Sequence, residues 1–188
     1  NIGADSNSNF LLGQGDTGLS FQPSSDRIIP RNTDGSSRDA AIDLGGSGNR
    51  FKDLFMSGAV KGGNGSASAP TFSFGNTTTM GMYRGAANQL AFSTDSTERL
   101  RINASGNVGI GTNSPARQVH LHDASGDNNL HITNSTTGST ASDGFSIVSQ
   151  SSTNDVILNQ RETANLLIHT ANTERARIDS SGNLLVGT

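Results

Sequence analysis

Glutamate side chains are the first candidates for chemistry in this sequence of 188 residues, because hydrolysis of a glycosidic bond requires two carboxyl groups facing one sugar. Glutamate occurs only at Glu98, Glu162 and Glu174, and the first and last of these occupy equivalent places in a repeated stretch. A duplicated glutamate is explained more simply as a structural partner of nearby arginines. The arginines concerned are Arg99, Arg101, Arg175 and Arg177. We therefore predict that the protein is not an enzyme.

Two histidines form the second candidate site. In the stretch His120-Leu121-His122 the imidazoles are two residues apart, and in a strand such residues point to the same side. In a homotrimer with this stretch near its axis, the three chains would bring six imidazoles together. Imidazole is a suitable ligand for iron, nickel or zinc. The alternative is that the apolar neighbours Val119 and Leu121 face inward, which turns both histidines outward. We favour the outward arrangement and predict no bound metal or cofactor.

An internal repeat is the strongest organising feature of the sequence. Residues 89–112 read QLAFSTDSTERLRINASGNVGIGT, and residues 165–188 read NLLIHTANTERARIDSSGNLLVGT. The copies match without a gap at an offset of 76 residues, which is the separation of Ile102 from Ile178. A period of this length indicates a repeated module stacked along an axis. Two copies are fewer than a self-supporting array requires, so we expect other chains to complete the structure.

Apolar residues alternate within each copy, which is typical of β-strands. The period of two places Glu98, Leu100 and Ile102 on one face of a strand and Arg99 and Arg101 on the other. We predict that the apolar positions form a buried seam between chains. The predicted seam consists of Leu100, Ile102, Val108, Ile110, Ile178, Leu184 and Val186.

Three short stretches predict turns between strands. Residues 103–107, 179–183 and 123–127 each begin with Asn or Asp and carry Gly at the fourth position. The first side chain can hydrogen-bond its own backbone, and glycine adopts positive φ without steric cost. Loops of this length are common in β-hairpins, so we predict three hairpins. An irregular surface loop remains the alternative at each of these stretches.

The composition points to a slender oligomer. Leu, Ile, Val and Phe together make up about a fifth of the chain, close to the level at which disorder sets in. The net charge of −3 argues against disorder, because disordered chains usually combine low hydrophobicity with strong charge. Three copies could bury against each other what one copy cannot bury alone. We therefore predict an all-β, elongated homotrimeric fibre of short, intertwined strands and hairpins, of the β-prism or triple-β-helix kind.

Several other classes of protein are not indicated by the sequence. With 13 basic and 16 acidic residues, the sequence shows no excess of positive charge for binding nucleic acid. No apolar run is long enough for membrane insertion. The chain starts at Asn1, so we expect it to be a piece of a longer protein. We expect three parts. They are an N-terminal β segment (1–60), a first repeat module (61–112) and a second repeat module (113–188).

Two motifs resemble those of bacteriophage tail-fibre and tailspike proteins. Residues 42–58 read IDLGGSGNRFKDLFMSG, and residues 98–115 read ERLRINASGNVGIGTNSP, followed by VHLH at 119–122. The resemblance covers roughly residues 40–60 and 80–188. In that family such stretches often precede a self-cleaving intramolecular chaperone that guides trimer assembly. This chain contains no such module, so the resemblance assigns no self-cleavage chemistry and leaves open whether Thr188 lies near a maturation site.

The resemblance implies a trimeric structural and host-attachment component of a tail fibre, located on the virion. Its expected partners are copies of itself, other phage tail proteins and a bacterial surface receptor, either a polysaccharide or an outer-membrane component. Two alternatives stay open at this point. One is a tailspike depolymerase that cuts surface polysaccharide, and the other is a fibre of a phage-tail-like injection system.

Overall fold

The computed structural model describes residues 2–4, 9–46, 48–75 and 77–187, so Thr188, the last residue of the repeat, lies outside the described part. All regular secondary structure within those ranges is β-strand, which confirms the prediction of an all-β fold. None of the described segments is a helix able to cross a membrane. The chain divides into two compact units, residues 1–60 and 61–188.

The first unit is built on one antiparallel sheet in which each strand pairs with the next along the chain. Its four strands are β1 (Ile2–Ala4), β2 (Phe10–Gln14), β3 (Thr17–Gln22) and β4 (Arg27–Arg31). Pro30 lies in β4 at the edge of the sheet, where its missing N–H costs no ladder hydrogen bond. Residues 41–46 and 48–60 follow without any strand.

The second unit contains three sheets. A six-stranded sheet consists of β5 (Phe72–Phe74), β6 (Thr77–Tyr83), β7 (Leu90–Thr94), β8 (Thr97–Ile102), β9 (Val108–Ile110) and β10 (Val119–Leu121). A three-stranded sheet consists of β11 (Asn128–Ile132), β12 (Phe145–Ser149) and β13 (Val156–Gln160). Another consists of β14 (Leu166–Thr170), β15 (Thr173–Ile178) and β16 (Leu184–Val186). Neighbouring strands are antiparallel, except that β10 runs parallel to β9.

Two of the three predicted hairpins are confirmed. The turn at 103–107 joins β8 to β9, with Ile102 opposite Val108, and the turn at 179–183 joins β15 to β16 in the same way. The third prediction is wrong, because β10 pairs with β9 while β11 pairs with β12. The turn at 123–127 still forms, since the Asp123 carboxylate accepts hydrogen bonds from the Ser125 and Gly126 N–H groups. A local turn motif therefore fixes the turn and not the pairing of its flanking strands.

A β-bulge corrects the predicted faces of β8. Ser93 pairs with Glu98 while its neighbour Phe92 pairs with Leu100, so Arg99 is an extra residue on that strand. The extra residue moves Glu98 to the face that carries Arg101 and away from Leu100. The second copy has its bulge at the equivalent place in β15, because the pairing shifts between Ile168 and His169. The repeat thus preserves an irregularity that simple alternation does not predict.

The two copies differ in one pairing. The strand before the first copy, β6, pairs with β7. The strand at the same offset before the second copy, β13, belongs to a different sheet from β14. Tyr83 in β6 lies directly opposite the fully buried Ala91 in β7. At the equivalent positions the second copy has Asn159 and the larger Leu167. The second copy therefore lacks the large-against-small fit that accompanies pairing in the first.

Little apolar surface is enclosed within one chain. Among the described residues the buried hydrophobic ones are only Leu11, Tyr83, Ala91 and Val148. Most of the larger apolar side chains that the structure describes are half-buried or exposed. The location of this apolar surface determines which part of the molecule is a candidate for function.

Candidate subunit interface

One face of the six-stranded sheet is apolar from edge to edge. Residues directly opposite each other on paired strands project to the same face, so the register defines two apolar rows across the sheet. The longer row runs through Phe72, Met82, Phe92, Leu100, Ile110 and Leu121. The shorter row runs through Leu90, Ile102, Val108 and Val119.

All four predicted seam residues of the first copy lie on this face, and the structure brings them into adjacent rows. Leu100 and Val108 are half-buried, while Ile102 and Ile110 remain 37 % and 45 % exposed. Sequence reasoning missed the partners that other strands contribute, among them Leu90, which belongs to the repeat itself. The alternation of Leu90 with Phe92 could have shown that Leu90 belongs to the seam face, but the pairing of β7 with β8 was not predicted.

The second copy repeats this face on a smaller scale. Ile178 lies opposite both Leu166 and Leu184, and Val186 lies opposite Ala176. The three predicted seam residues of this copy therefore share one face. Ile178, Leu184 and Val186 are 43 %, 68 % and 74 % exposed. Whether either face contacts a second chain stays a prediction.

The opposite face of the six-stranded sheet carries a cluster of paired polar groups. The Arg101 guanidinium donates to both oxygens of Glu98, at 2.7 Å from Nε and 2.5 Å from Nη2. Tyr83 Oη also donates to Glu98, and Arg101 Nη1 donates to Gln89 Oε1. The Glu98 and Arg101 side chains are only 17 % and 12 % exposed. This cluster fixes the geometry of β6, β7 and β8 on one side of the sheet.

The electrostatics of this cluster follow from burial and pairing. Burial raises the pKa of Tyr83 to about 12, and its hydrogen bond to Glu98 adds to the shift. Burial alone would also raise the pKa of Glu98, but hydrogen bonds from Arg101 and Tyr83, together with the charge of Arg101, hold that pKa below its usual value. A glycosidase general acid requires the opposite, a carboxyl whose pKa is raised. Glu98 therefore has the properties of a structural carboxylate.

The second copy retains a reduced version of the cluster. Glu174 Oε1 accepts a hydrogen bond from Arg177 Nε at 2.6 Å, across the equivalent bulge. The remaining arginine of each copy turns elsewhere, since Arg99 Nε donates to Thr94 Oγ1 and Arg175 Nε donates to Thr170 Oγ1. The prediction that the duplicated glutamates pair with arginines is therefore confirmed for one arginine per copy. Glu162, in contrast, accepts from the Gly144 N–H.

The two histidines lie near each other at the edge of this sheet. His120 pairs with Gly109 and so lies on the face opposite Val119 and Leu121, as the alternation predicts. The rings of His120 and His122 are 6.2 Å apart between centroids. His120 Nδ1 accepts a hydrogen bond from the Ala116 N–H at 3.3 Å. Within the described part of one chain, no three metal-ligating side chains form a group.

Comparisons with known proteins add no family to this description. No protein-family profile matches the chain, and no curated protein is significantly similar to it. The site that the geometry defines is therefore an apolar sheet face, half-exposed in one chain and repeated in both copies. Its opposite face is occupied by paired polar groups in the first copy. Such a surface is suited to association with another apolar surface.

Proposed function

We propose that this chain is a segment of a homotrimeric bacteriophage tail fibre that acts in attachment to the host bacterium. The observation that carries the trimer is the continuous apolar face, which contains all the predicted seam residues of the first copy. The attachment role rests on the resemblance of residues 42–58 and 98–122 to motifs of tail-fibre proteins.

The energetics favour association through this face. Removing a half-exposed Leu, Ile or Phe side chain from water contributes on the order of 1 kcal/mol. The two rows of the six-stranded sheet contain ten apolar side chains, seven of them Leu, Ile or Phe, and every chain of the assembly would supply the same ten. The described residues of one chain enclose few large apolar side chains, so this contribution is large relative to what a single chain buries by itself.

Another chain of the same sequence is the partner that fits best. The apolar face is repeated within the chain, and a fibre requires the same contact to recur along its length. Oligomers of soluble proteins are mostly built from identical subunits related by closed symmetry. Three copies would each place their apolar face toward a common axis and their polar cluster away from it.

Multivalency links this architecture to attachment. A trimer displays every surface feature three times, and linked binding events can raise the overall affinity by about 10²–10⁴ without new contacts. The receptor we propose is a component of the bacterial surface, a polysaccharide or an outer-membrane protein. The segment then serves either as the shaft that carries a receptor-binding tip or as part of the receptor-binding surface.

The oligomeric state tests the architecture directly. Light scattering on the purified protein is expected to give three times the single-chain mass of 19.4 kDa. A well-ordered particle of one chain mass would overturn the trimer.

Attachment is tested separately, by incubating the labelled protein with a panel of bacterial strains and measuring what sediments with the cells. We expect binding to a subset of strains and loss of binding when their surface polysaccharide or outer-membrane proteins are removed. Equal retention by every strain, or by none, would overturn direct receptor binding by this segment and leave the shaft role and the trimer standing.

A further inference from the structure

The first unit contains a short apolar segment that its own chain leaves uncovered. The Phe51–Met56 arm follows the sheet of that unit and belongs to no strand. Its side chains include Phe51 at 66 %, Leu54 at 69 % and Phe55 at 91 % exposed. Lys52 and Asp53 of the arm form a 3.8 Å ion pair with each other, and the Phe51 ring lies beside Gly45 of the preceding loop. An exposed run of this kind marks a site of interaction.

The sheet of the same unit has an apolar hollow of matching character. Phe10 pairs with Phe21, which pairs with Ile28, so the three side chains share one sheet face. They line an open cavity of about 410 Å³ together with Asp26 and Arg27. The Phe10 and Phe21 rings are 5.5 Å apart and tilted by 56°, a geometry in which aromatic rings attract each other. Another aromatic side chain would extend this cluster.

The charges around the two features are complementary. The arm carries adjacent residues of opposite sign, Lys52 followed by Asp53, and the rim of the cavity carries Asp26 followed by Arg27, with the signs in the reverse order. When Phe55 enters the cavity, Lys52 and Asp53 can lie against the oppositely charged residues of the rim. Opposite charges around an apolar contact fix its orientation more than they strengthen it.

We propose that the Phe51–Met56 arm of one chain docks into the Phe10–Phe21–Ile28 cavity of a neighbouring copy. This inference rests on the homotrimer proposed above and names a contact for it in residues 1–60. The arm and the cavity belong to the same unit, yet Phe55 remains 91 % exposed, so the arm is not seated on its own sheet. Every chain supplies one arm and one cavity, and such head-to-tail contacts close when three chains form a ring.

Cysteine cross-linking tests the contact, because the natural chain contains no cysteine. Two differently tagged chains, one with Met56→Cys and the other with Gln22→Cys at the cavity, are produced together and oxidised. We expect a disulfide between the two chains. The matched control replaces Gln22→Cys by Thr17→Cys, at the opposite end of β3, and is expected to cross-link at least tenfold less.

The outcomes separate this inference from the proposed function. A trimer that forms no Met56–Gln22 cross-link would overturn the docked arm and leave the trimer intact. A single chain with both cysteines that forms only an internal disulfide would show that the arm folds back on its own sheet, and would also overturn the inference. A monomer in light scattering would overturn both proposals.

A second variant measures the contribution of Phe55 to association. Because Phe55 is exposed in the single chain, Phe55→Ser leaves the fold of that chain unchanged and removes only the docked contact. We expect the dissociation midpoint on dilution to rise by about tenfold or more. Val60→Ser, outside the arm and 57 % exposed, is the control and is expected to leave the midpoint unchanged. Equal midpoints for both variants would contradict the docking of Phe55.

Discussion

Arg101 holds both carboxylate oxygens of Glu98 from three residues further along β8, because the extra residue Arg99 turns both side chains to one face of the sheet. Without the bulge the two groups would project to opposite faces. The ion pair is therefore a product of the irregularity, and the same relation recurs between Glu174 and Arg177.

Loss of the Glu98 carboxylate is expected to destabilise the first copy. Glu98→Ala leaves the buried Arg101 and Tyr83 donors without their acceptor, which costs about 1–3 kcal/mol in the free energy of unfolding. Urea denaturation followed by circular dichroism measures the loss. The matched control is Glu174→Ala, where the more exposed pair with Arg177 contributes about 0–1 kcal/mol. Equal losses at the two sites would contradict the structural role of the cluster.

The single tyrosine gives a direct reading of the polar cluster by ultraviolet absorbance. Tyr83 is the only Tyr and the chain has no Trp, so tyrosinate absorbance reports this side chain alone. We expect its titration midpoint at about 12 in the folded protein and near the ordinary tyrosine pKa of 10.0 in denaturant. The Glu98→Gln variant removes the charge that opposes tyrosinate formation, so its midpoint should move downward. A folded-state midpoint at 10 would contradict the burial of Tyr83.

The pH dependence of stability follows from the sign of that shift. The folded-state pKa of Tyr83 lies above its unfolded value, so its stabilising contribution is complete below pH 10 and is lost as the pH rises toward 12. We expect the free energy of unfolding to fall across this range in the natural protein and to fall less in Tyr83→Phe. Thermal unfolding at a series of pH values measures the difference, and parallel curves for the two proteins would oppose the assignment.

Adjacent residues on β14 provide a matched test of the apolar face. Ile168 is 54 % exposed and lies on the predicted seam face, whereas Leu167 is 45 % exposed and lies on the opposite face. Ile168→Asp places a charge in the proposed interface and should shift the mass in solution toward the single chain. Leu167→Asp should leave the trimer intact. Both variants behaving alike in light scattering would mean that the interface lies elsewhere.

The turn at 103–107 predicts a backbone effect that involves no contact. Gly106 has a φ of 81°, and a Cβ placed there would meet no other atom within 4 Å. Gly106→Ala is therefore expected to cost about 1–2 kcal/mol in the free energy of unfolding through backbone strain alone. Gly106→Asn should cost less, because asparagine tolerates the left-handed region. Chemical denaturation of the two variants compares these costs, and equal stability of both with the natural protein would exclude strain at this turn.

The sequence revealed those features that depend on neighbouring residues. The hairpins at 103–107 and 179–183 could be predicted because their turn residues and alternating strands are contiguous. The turn between β7 and β8 escaped prediction, since Asp95 and Ser96 adopt φ values of 50° and 59° there without any glycine. The bulge at Arg99 escaped it as well, because a bulge is defined only against the partner strand.

Features that depend on distant residues could not be predicted from one sequence. The hairpin expected at 123–127 is absent because β11 pairs with β12 across the loop at 133–144, and no local signal records that choice. The division of the second copy between β13 and β14 is of the same kind. The polar cluster was foreseen only in part, since Tyr83 and Gln89 come from outside the strand that carries Glu98 and Arg101.

The conserved position of the bulge has a consequence for how a chain of this kind can change in length. Each copy inserts its extra residue at the same place, so excision or duplication of a full 76-residue period, the distance from Arg99 to Arg175, keeps every later side chain on its original face. An insertion of one residue within a strand would instead move every later side chain of that strand to the opposite face of the sheet, which exchanges apolar and charged positions. Whole periods are thus the natural increments by which such a polypeptide grows or shrinks.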